Sequence, residues 1–116
     1  MANATVLVVE DDPRVRALAV EQFEASGATV LDTYSSERAL DLLASHPEVR
    51  LVFSDVRLPG RDGVTLARMV RRRRPDVRIV LTSGYVGDCP AEGATFVAKP
   101  WQAGTFARMV RDIGEA

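Results

Sequence analysis

Five short apolar runs alternate along the chain with longer segments in which apolar residues recur every three or four positions. The runs are Thr5 to Val9, Thr29 to Asp32, Leu51 to Ser54, Arg78 to Thr82 and Thr95 to Ala98, and they are rich in Val, Ile, Leu and Phe. Their length and composition predict strands. Several lack polar alternation, as expected of parallel strands covered on both faces. The intervening segments read as helices. Asp12 and Pro13 supply an N-cap and a first helical position, and Val15, Leu18, Ala19, Gln22 and Phe23 form a mostly apolar stripe that stops at Gly27. Ser35 or Ser36 caps a second helix, with Ala39, Leu40, Leu42 and Leu43 on its apolar side and His46-Pro47 at its end. A third helix is predicted from about Val64 to Arg73 and a last from about Ala103 to Ile113. Strand and helix in alternation predict an α/β fold: a parallel sheet with right-handed crossovers and helices on both faces.

At 116 residues, 47% of them apolar, the chain has enough material for one core, and no linker, repeat or low-complexity tract divides it. Residues 1–116 are expected to form a single domain. A net charge of -1 gives no global attraction to nucleic acid or anionic membrane. The run Arg71 to Arg74 before Pro75 reads as the solvated end of a helix, where cations complement the macrodipole; no aromatic residues interleave it as in a nucleic-acid surface. No apolar stretch approaches the roughly 20 residues that span a bilayer, and the N-terminus lacks the order of a signal peptide, so a cytoplasmic location is expected. Cys89 is the only cysteine, which excludes an internal disulfide or a thiolate cluster and leaves it as a small loop filler. Lys99 is the only lysine among 15 cations. A lone ammonium in an arginine-rich chain marks a site that a planar guanidinium does not fit.

In open α/β sheets, ligands bind outside the carboxyl ends of the strands. The predicted strand ends hold Glu10 and Asp11, Asp55, Ser83 and Lys99. Three converging carboxylates repel one another unless a hard cation sits among them. Mg²⁺ suits such a site, since it takes oxygen ligands and commonly uses one or two carboxylates with water and phosphate oxygens. Asp55 can then act as a nucleophile toward a phosphoryl group, with the Lys99 ammonium and the Ser83 hydroxyl as donors to its oxygens.

These residues carry a resemblance. "VVEDDP", "FSDVRLPGRDG", "IVLTSGY" and "VAKPW" resemble, in order, the four signatures of the response-regulator receiver domain of two-component signalling, over nearly the whole chain. The resemblance implies a flavodoxin-like, doubly wound sheet of five parallel strands in the order 2-1-3-4-5. It implies Asp55 as phosphoacceptor, Asp11 as direct ligand of Mg²⁺, Glu10 as the neighbouring acid that often acts through water, and Arg57 as donor of a backbone carbonyl to the metal. Lys99 resembles the lysine that contacts the phosphoryl group, and Pro100 the step that turns the chain away from strand five. Counting from Asp55 without gaps places Ser83, rather than Thr82, at the switch hydroxyl, and Phe96 falls at the switch aromatic. Tyr85 and Arg57 lie where family members tune phosphoryl hydrolysis. The implied partners are a histidine kinase or histidine phosphotransfer protein and a downstream protein target, with no direct nucleic acid, as a monomer or weak dimer.

One interval departs from the family. Ser83 to Lys99 is roughly six residues shorter than usual, more than a helical turn, and "GYVGDCPAEGA" has no helical stripe. The fourth helix is therefore expected to be short or absent, as in the short-segment receivers of a bacterial subgroup and in receivers attached to hybrid kinases. A loop that orders on phosphorylation would be its replacement. Two other classes are disfavoured: an aspartyl phosphohydrolase resembles D-x-D, whereas Arg57 stands two after Asp55, and no P-loop motif is present. The alternative is a pseudo-receiver, an interaction module without phosphorylation. Either way a signalling domain is expected, one that promotes only its own phosphorylation and dephosphorylation, rather than an enzyme acting on outside substrates.

Overall fold

A computed structural model describes residues 4–84 and 91–114. Its elements in chain order are β1 (Thr5–Val9), α1 (Pro13–Ala25), β2 (Thr29–Thr33), α2 (Ser36–Ser45), β3 (Val49–Asp55), α3 (Gly63–Arg73), β4 (Arg78–Ser83), β5 (Thr95–Ala98) and α4 (Thr105–Gly114). All strand pairs are parallel and the sheet order is β2-β1-β3-β4-β5, the flavodoxin-like doubly wound arrangement. β1 and β5 match their apolar runs residue for residue. β3 outgrows its run because its neighbours offer backbone partners at both ends, Thr5 opposite Val49 and Thr82 opposite Asp55. β4 likewise extends to Ser83, which lies opposite Ala98.

The helix ends follow capping chemistry. The Asp12 carboxylate accepts the N–H groups of Arg14 (2.9 Å) and Val15 (3.4 Å), which opens α1. Ser35, not Ser36, caps α2 by accepting the Arg38 N–H, while Ser36 is buried and donates its hydroxyl to the Arg61 carbonyl at 2.8 Å. Asp62 caps α3 through the Thr65 N–H at 2.8 Å. α4 begins later than Ala103, because Gly104 at φ +86° holds a left-handed turn just ahead of it. The inward stripe of α1 also differs from the pattern: Ala19 and Phe23 are buried, but Leu18 is 47% exposed and Gln22 is exposed, so the buried face lies further round.

α2 and α3 cover one face of the sheet, where Leu43, Leu66 and Val70 pack on Leu7, Val52 and Leu81. α1 and α4 cover the other, around an aromatic cluster in which Phe23 meets Phe53 (5.3 Å between centroids) and Phe106 (4.8 Å) edge to face. Among the described residues no helix lies between β4 and β5. Ahead of β5 lies a turn over residues 91–94 that is tied to α3, with the Arg71 guanidinium donating to the Glu92 carbonyl at 2.9 Å. Tyr85, Cys89 and most of the interval expected to order on phosphorylation lie outside the described residues.

The arginine run is not uniformly a solvated helix end. Arg74 is the C-cap of α3, and its side chain turns back to donate to the carbonyls of Leu43 (3.1 Å), Pro47 (2.9 Å) and Val49 (3.1 Å). Those carbonyls belong to the end of α2 and the entry to β3, where helix and sheet leave acceptors unpaired. Arg74 thus joins three elements. No helix among the described residues is long and apolar enough to cross a membrane.

Candidate functional site

The sheet order brings the ends of β1, β3, β4 and β5 to one edge. Glu10 follows β1 directly and extends its ladder, its N–H donating to the Thr33 carbonyl at 3.0 Å. Its carboxylate is only 4% exposed as a residue and is held on two sides, by the Asp12 N–H (3.1 Å) and by the Lys99 Nζ (3.1 Å). Arg16 donates to the Glu10 carbonyl at 2.9 Å and pairs with Asp32. Asp55, at the last position of β3, accepts the Arg57 N–H at 3.0 Å on Oδ1 and the Lys99 ammonium at 2.7 Å on Oδ2. α3 starts against this carboxylate's own backbone. Gly63 donates to the Val56 carbonyl at 2.9 Å, and a Cβ at that position would overlap the Asp55 carbonyl oxygen.

Two cavities flank Asp55. One, about 410 Å³, is lined by Glu10, Asp11, Asp12, Asp55, Arg57 and Lys99 among others; the second, about 420 Å³, by Asp55, Arg57, Ser83, Gly84 and Lys99. Glu10, Asp11, Asp55, Arg57, Ser83 and Lys99 are therefore gathered at one place. Asp11 is exposed, and Asp12, although beside the cavity, is committed to its cap. Phe96 sits half-buried on the α2–α3 side of the sheet.

The pleat of β4 separates the two adjacent hydroxyls. Ser83 faces the cavity beside Lys99, whereas Thr82 accepts the Trp101 indole N–H at 2.8 Å among the aromatic residues of the other face. The sequence reading missed that indole and the Arg57 N–H on Asp55. A threonine at the end of an apolar run was the only signal of the first; the second comes from backbone, which residue types do not announce.

The electrostatics follow from crowding. Burial, reinforced by hydrogen bonding to Asp55, pushes the Glu10 carboxyl up to about 7. Burial also opposes ionisation of Asp55, but hydrogen bonds from Lys99, Glu10 and the Arg57 N–H outweigh it and hold Asp55 below its ordinary range. For Lys99 burial works against the charge, and its contacts with Asp55 and Glu10 prevail and raise it. The shifts run in opposite directions, so of the two acids Glu10 is the one that favours its protonated form and Asp55 the one that favours its carboxylate.

The donor set is hard oxygen throughout and fits a divalent cation such as Mg²⁺, which keeps much of its water and asks for few carboxylates. Glu10, Asp11, Asp55 and the Arg57 carbonyl are the groups that would hold it. Among the described residues no three Asp, Glu, His or Cys side chains are already arranged around a common ion position, and Lys99 spans an oxygen of each of Glu10 and Asp55.

Comparison with known proteins agrees with the fold. The family described as response regulator receiver domain matches residues 6–111, and the chain belongs to that family. It is 36% identical over 97% of its length to the sensor kinase CckA of Brucella abortus, and 32% identical over 98% to the C4-dicarboxylate transport transcriptional regulatory protein DctD of Rhizobium meliloti. It spans 13% and 26% of those two proteins. Among solved structures, the receiver domain of the hybrid histidine kinase CckA superposes with a TM-score of 0.81 at 32% identity, covering 95% of this chain and 98% of that one. The signal receiver domain of the putative response regulator NarL from Mycobacterium tuberculosis gives 0.83 at 27% identity, covering 100% and 99%. This is a receiver domain of bacterial two-component signalling type.

Proposed function

We propose that residues 1–116 act as one phosphoacceptor unit, taking a phosphoryl group onto Asp55 from a histidine kinase or a histidine phosphotransfer protein and presenting the changed surface to a downstream protein. The observation that carries this reading is the Lys99 ammonium seated 2.7 Å from Asp55 Oδ2. In the transfer, an Asp55 carboxylate oxygen forms a bond to phosphorus as the bond from phosphorus to the donor's imidazole nitrogen breaks; the imidazole leaves with the electron pair and takes a proton from solvent. Lys99 shifts from sharing charge with Asp55 to neutralising a phosphoryl oxygen, and the Ser83 hydroxyl, on the second cavity, supplies a hydrogen bond to another. Mg²⁺, when bound, withdraws charge from the phosphoryl oxygens. Phe96, on the side of the sheet that Ser83 faces, is the residue whose packing would respond. The chain promotes chemistry only on itself, which makes it a signalling domain.

Incubation with a small acyl phosphate, followed by intact mass, tests the assignment. The expected result is one phosphoryl adduct that requires Mg²⁺ and is abolished in Asp55→Asn. Folded protein without an adduct, or an adduct that survives in Asp55→Asn, would overturn it.

A further inference from the structure

β4 ends in a closed ring of contacts that the reaction scheme does not yet use. The backbone N–H of Lys99 donates to the Ser83 carbonyl at 2.9 Å. Two residues on, the Trp101 indole N–H donates to the hydroxyl of Thr82 at 2.8 Å. Residues 99–101 are therefore fastened to adjacent residues of one strand at two points, once through backbone and once through side chains. Thr82 is itself anchored, since its carbonyl accepts the Val56 N–H at 3.0 Å directly after Asp55. The lysine whose ammonium reaches Asp55 is held by the first fastening, and the second lies two residues further along the same segment.

Packing does not account for this pair of polar groups. Trp101 meets Phe53 (5.5 Å between centroids) and Phe106 (5.2 Å) edge to face, contacts that a phenylalanine ring also makes. What the indole adds is a donor. Thr82 is 1% exposed, so its hydroxyl without the indole would be a buried polar group short of a partner. The Trp101 ring also lies 5.9 Å from the Lys99 Nζ, within reach of a weak cation–π attraction.

We infer that Trp101 is a positioning residue: through Thr82 it fixes the segment carrying Lys99, so that the ammonium stays over Asp55 and the incoming phosphoryl oxygens. The inference rests on Asp55 being the phosphoacceptor. A displacement of about 1 Å in a charge-neutralising group can cost up to 10²-fold in rate, which is the range in which loss of one fastening should register.

The test compares Thr82→Val, Trp101→Phe, the double variant and Thr82→Ser by urea unfolding and by the rate of adduct formation with acyl phosphate and Mg²⁺. Trp101→Phe leaves the buried Thr82 hydroxyl without its donor, and Thr82→Val leaves the half-buried indole N–H without its acceptor. The double variant removes both and so recovers stability relative to the sum of the singles. Positioning predicts that adduct formation is about 5- to 30-fold slower in Thr82→Val, Trp101→Phe and the double variant alike, and within about twofold of wild type in Thr82→Ser, which keeps the acceptor. A double variant that forms adduct at the wild-type rate, or rates that simply track stability across the series, would overturn the inference. Wild-type protein that forms no adduct would overturn the phosphoacceptor reading and this inference with it.

Discussion

At the scale of single residues, the candidate site gathers groups that differ in kind, carboxylates, a hydroxyl and one ammonium. Lys99 places one compact ammonium on oxygens of both Asp55 and Glu10. Lys99→Arg keeps the charge but substitutes a planar fork for a point donor, and adduct formation is expected to fall about 10²-fold in an intact-mass time course. Glu10 gives the site a pH signature. Its folded pKa, about 7, lies above the ordinary 4.5, so the native protein holds a proton that the unfolded chain has lost between those values. That group's contribution to stability is complete below the unfolded value and declines as pH rises toward the folded one. Asp55, shifted down, contributes above its ordinary value and loses that contribution only in acid; Lys99, shifted up, loses its contribution only in strong base. In chelator, the melting temperature of the wild type is therefore expected to fall from about pH 5 to about pH 7, and Glu10→Gln to flatten that slope. Asp55 and Lys99 were legible in the sequence because acid and ammonium at strand ends are chemically conspicuous. Thr82 and Ser83 are both hydroxyls; counting from Asp55 chooses Ser83 by position, and the pleat of β4 supplies the physical reason, turning Ser83 to the cavity and Thr82 to the Trp101 indole.

At the scale of elements, most boundaries were legible because caps and glycines are local signals: Asp12 and Ser35 act on N–H groups two or three residues away. The discrepancies arise where a distant partner decides. β3 reaches Asp55 because β4 offers Thr82 opposite it. Arg74 looked like the fourth member of a uniform run, yet it turns inward to three carbonyls, of Leu43 in α2, Val49 in β3 and Pro47 between them. No feature of four consecutive arginines distinguishes that role; it requires knowing where α2 ends. Arg74→Ala is expected to cost about 2–3 kcal/mol in urea unfolding, through lost charged hydrogen bonds and acceptors left unpaired. The shortened connection between β4 and β5 was legible as a deficit of residues, but its attachment was not. Arg71 holds the returning turn at Glu92, so α3 takes over part of the support that an intervening helix would give.

At the scale of the whole molecule, the two faces of the sheet are closed by different parts of the chain. Successive elements α2 and α3 cover one face, whereas the other joins α1, the first helix, to α4, the last. Phe23 lies where they meet, in edge-to-face contact with both Phe53 and Phe106. Phe23→Ala is expected to destabilise the protein by about 3–5 kcal/mol in urea unfolding, with loss of a single cooperative transition if α4 detaches first. The pairing of β1 with β3 is similarly remote, Val9 standing beside Ser54. These separations bear on synthesis at the ribosome. β1 and α1 are made before the strand that flanks β1 on its inner side, which arrives some 40 residues later, and Phe106, which seals Phe23, follows it by 83 residues. The nascent chain must carry the apolar β1 without a finished shelter until α4 leaves the exit tunnel, a delay of several seconds at about 5–20 residues per second. Chaperone engagement is therefore expected once β1 emerges and release only upon completion of α4.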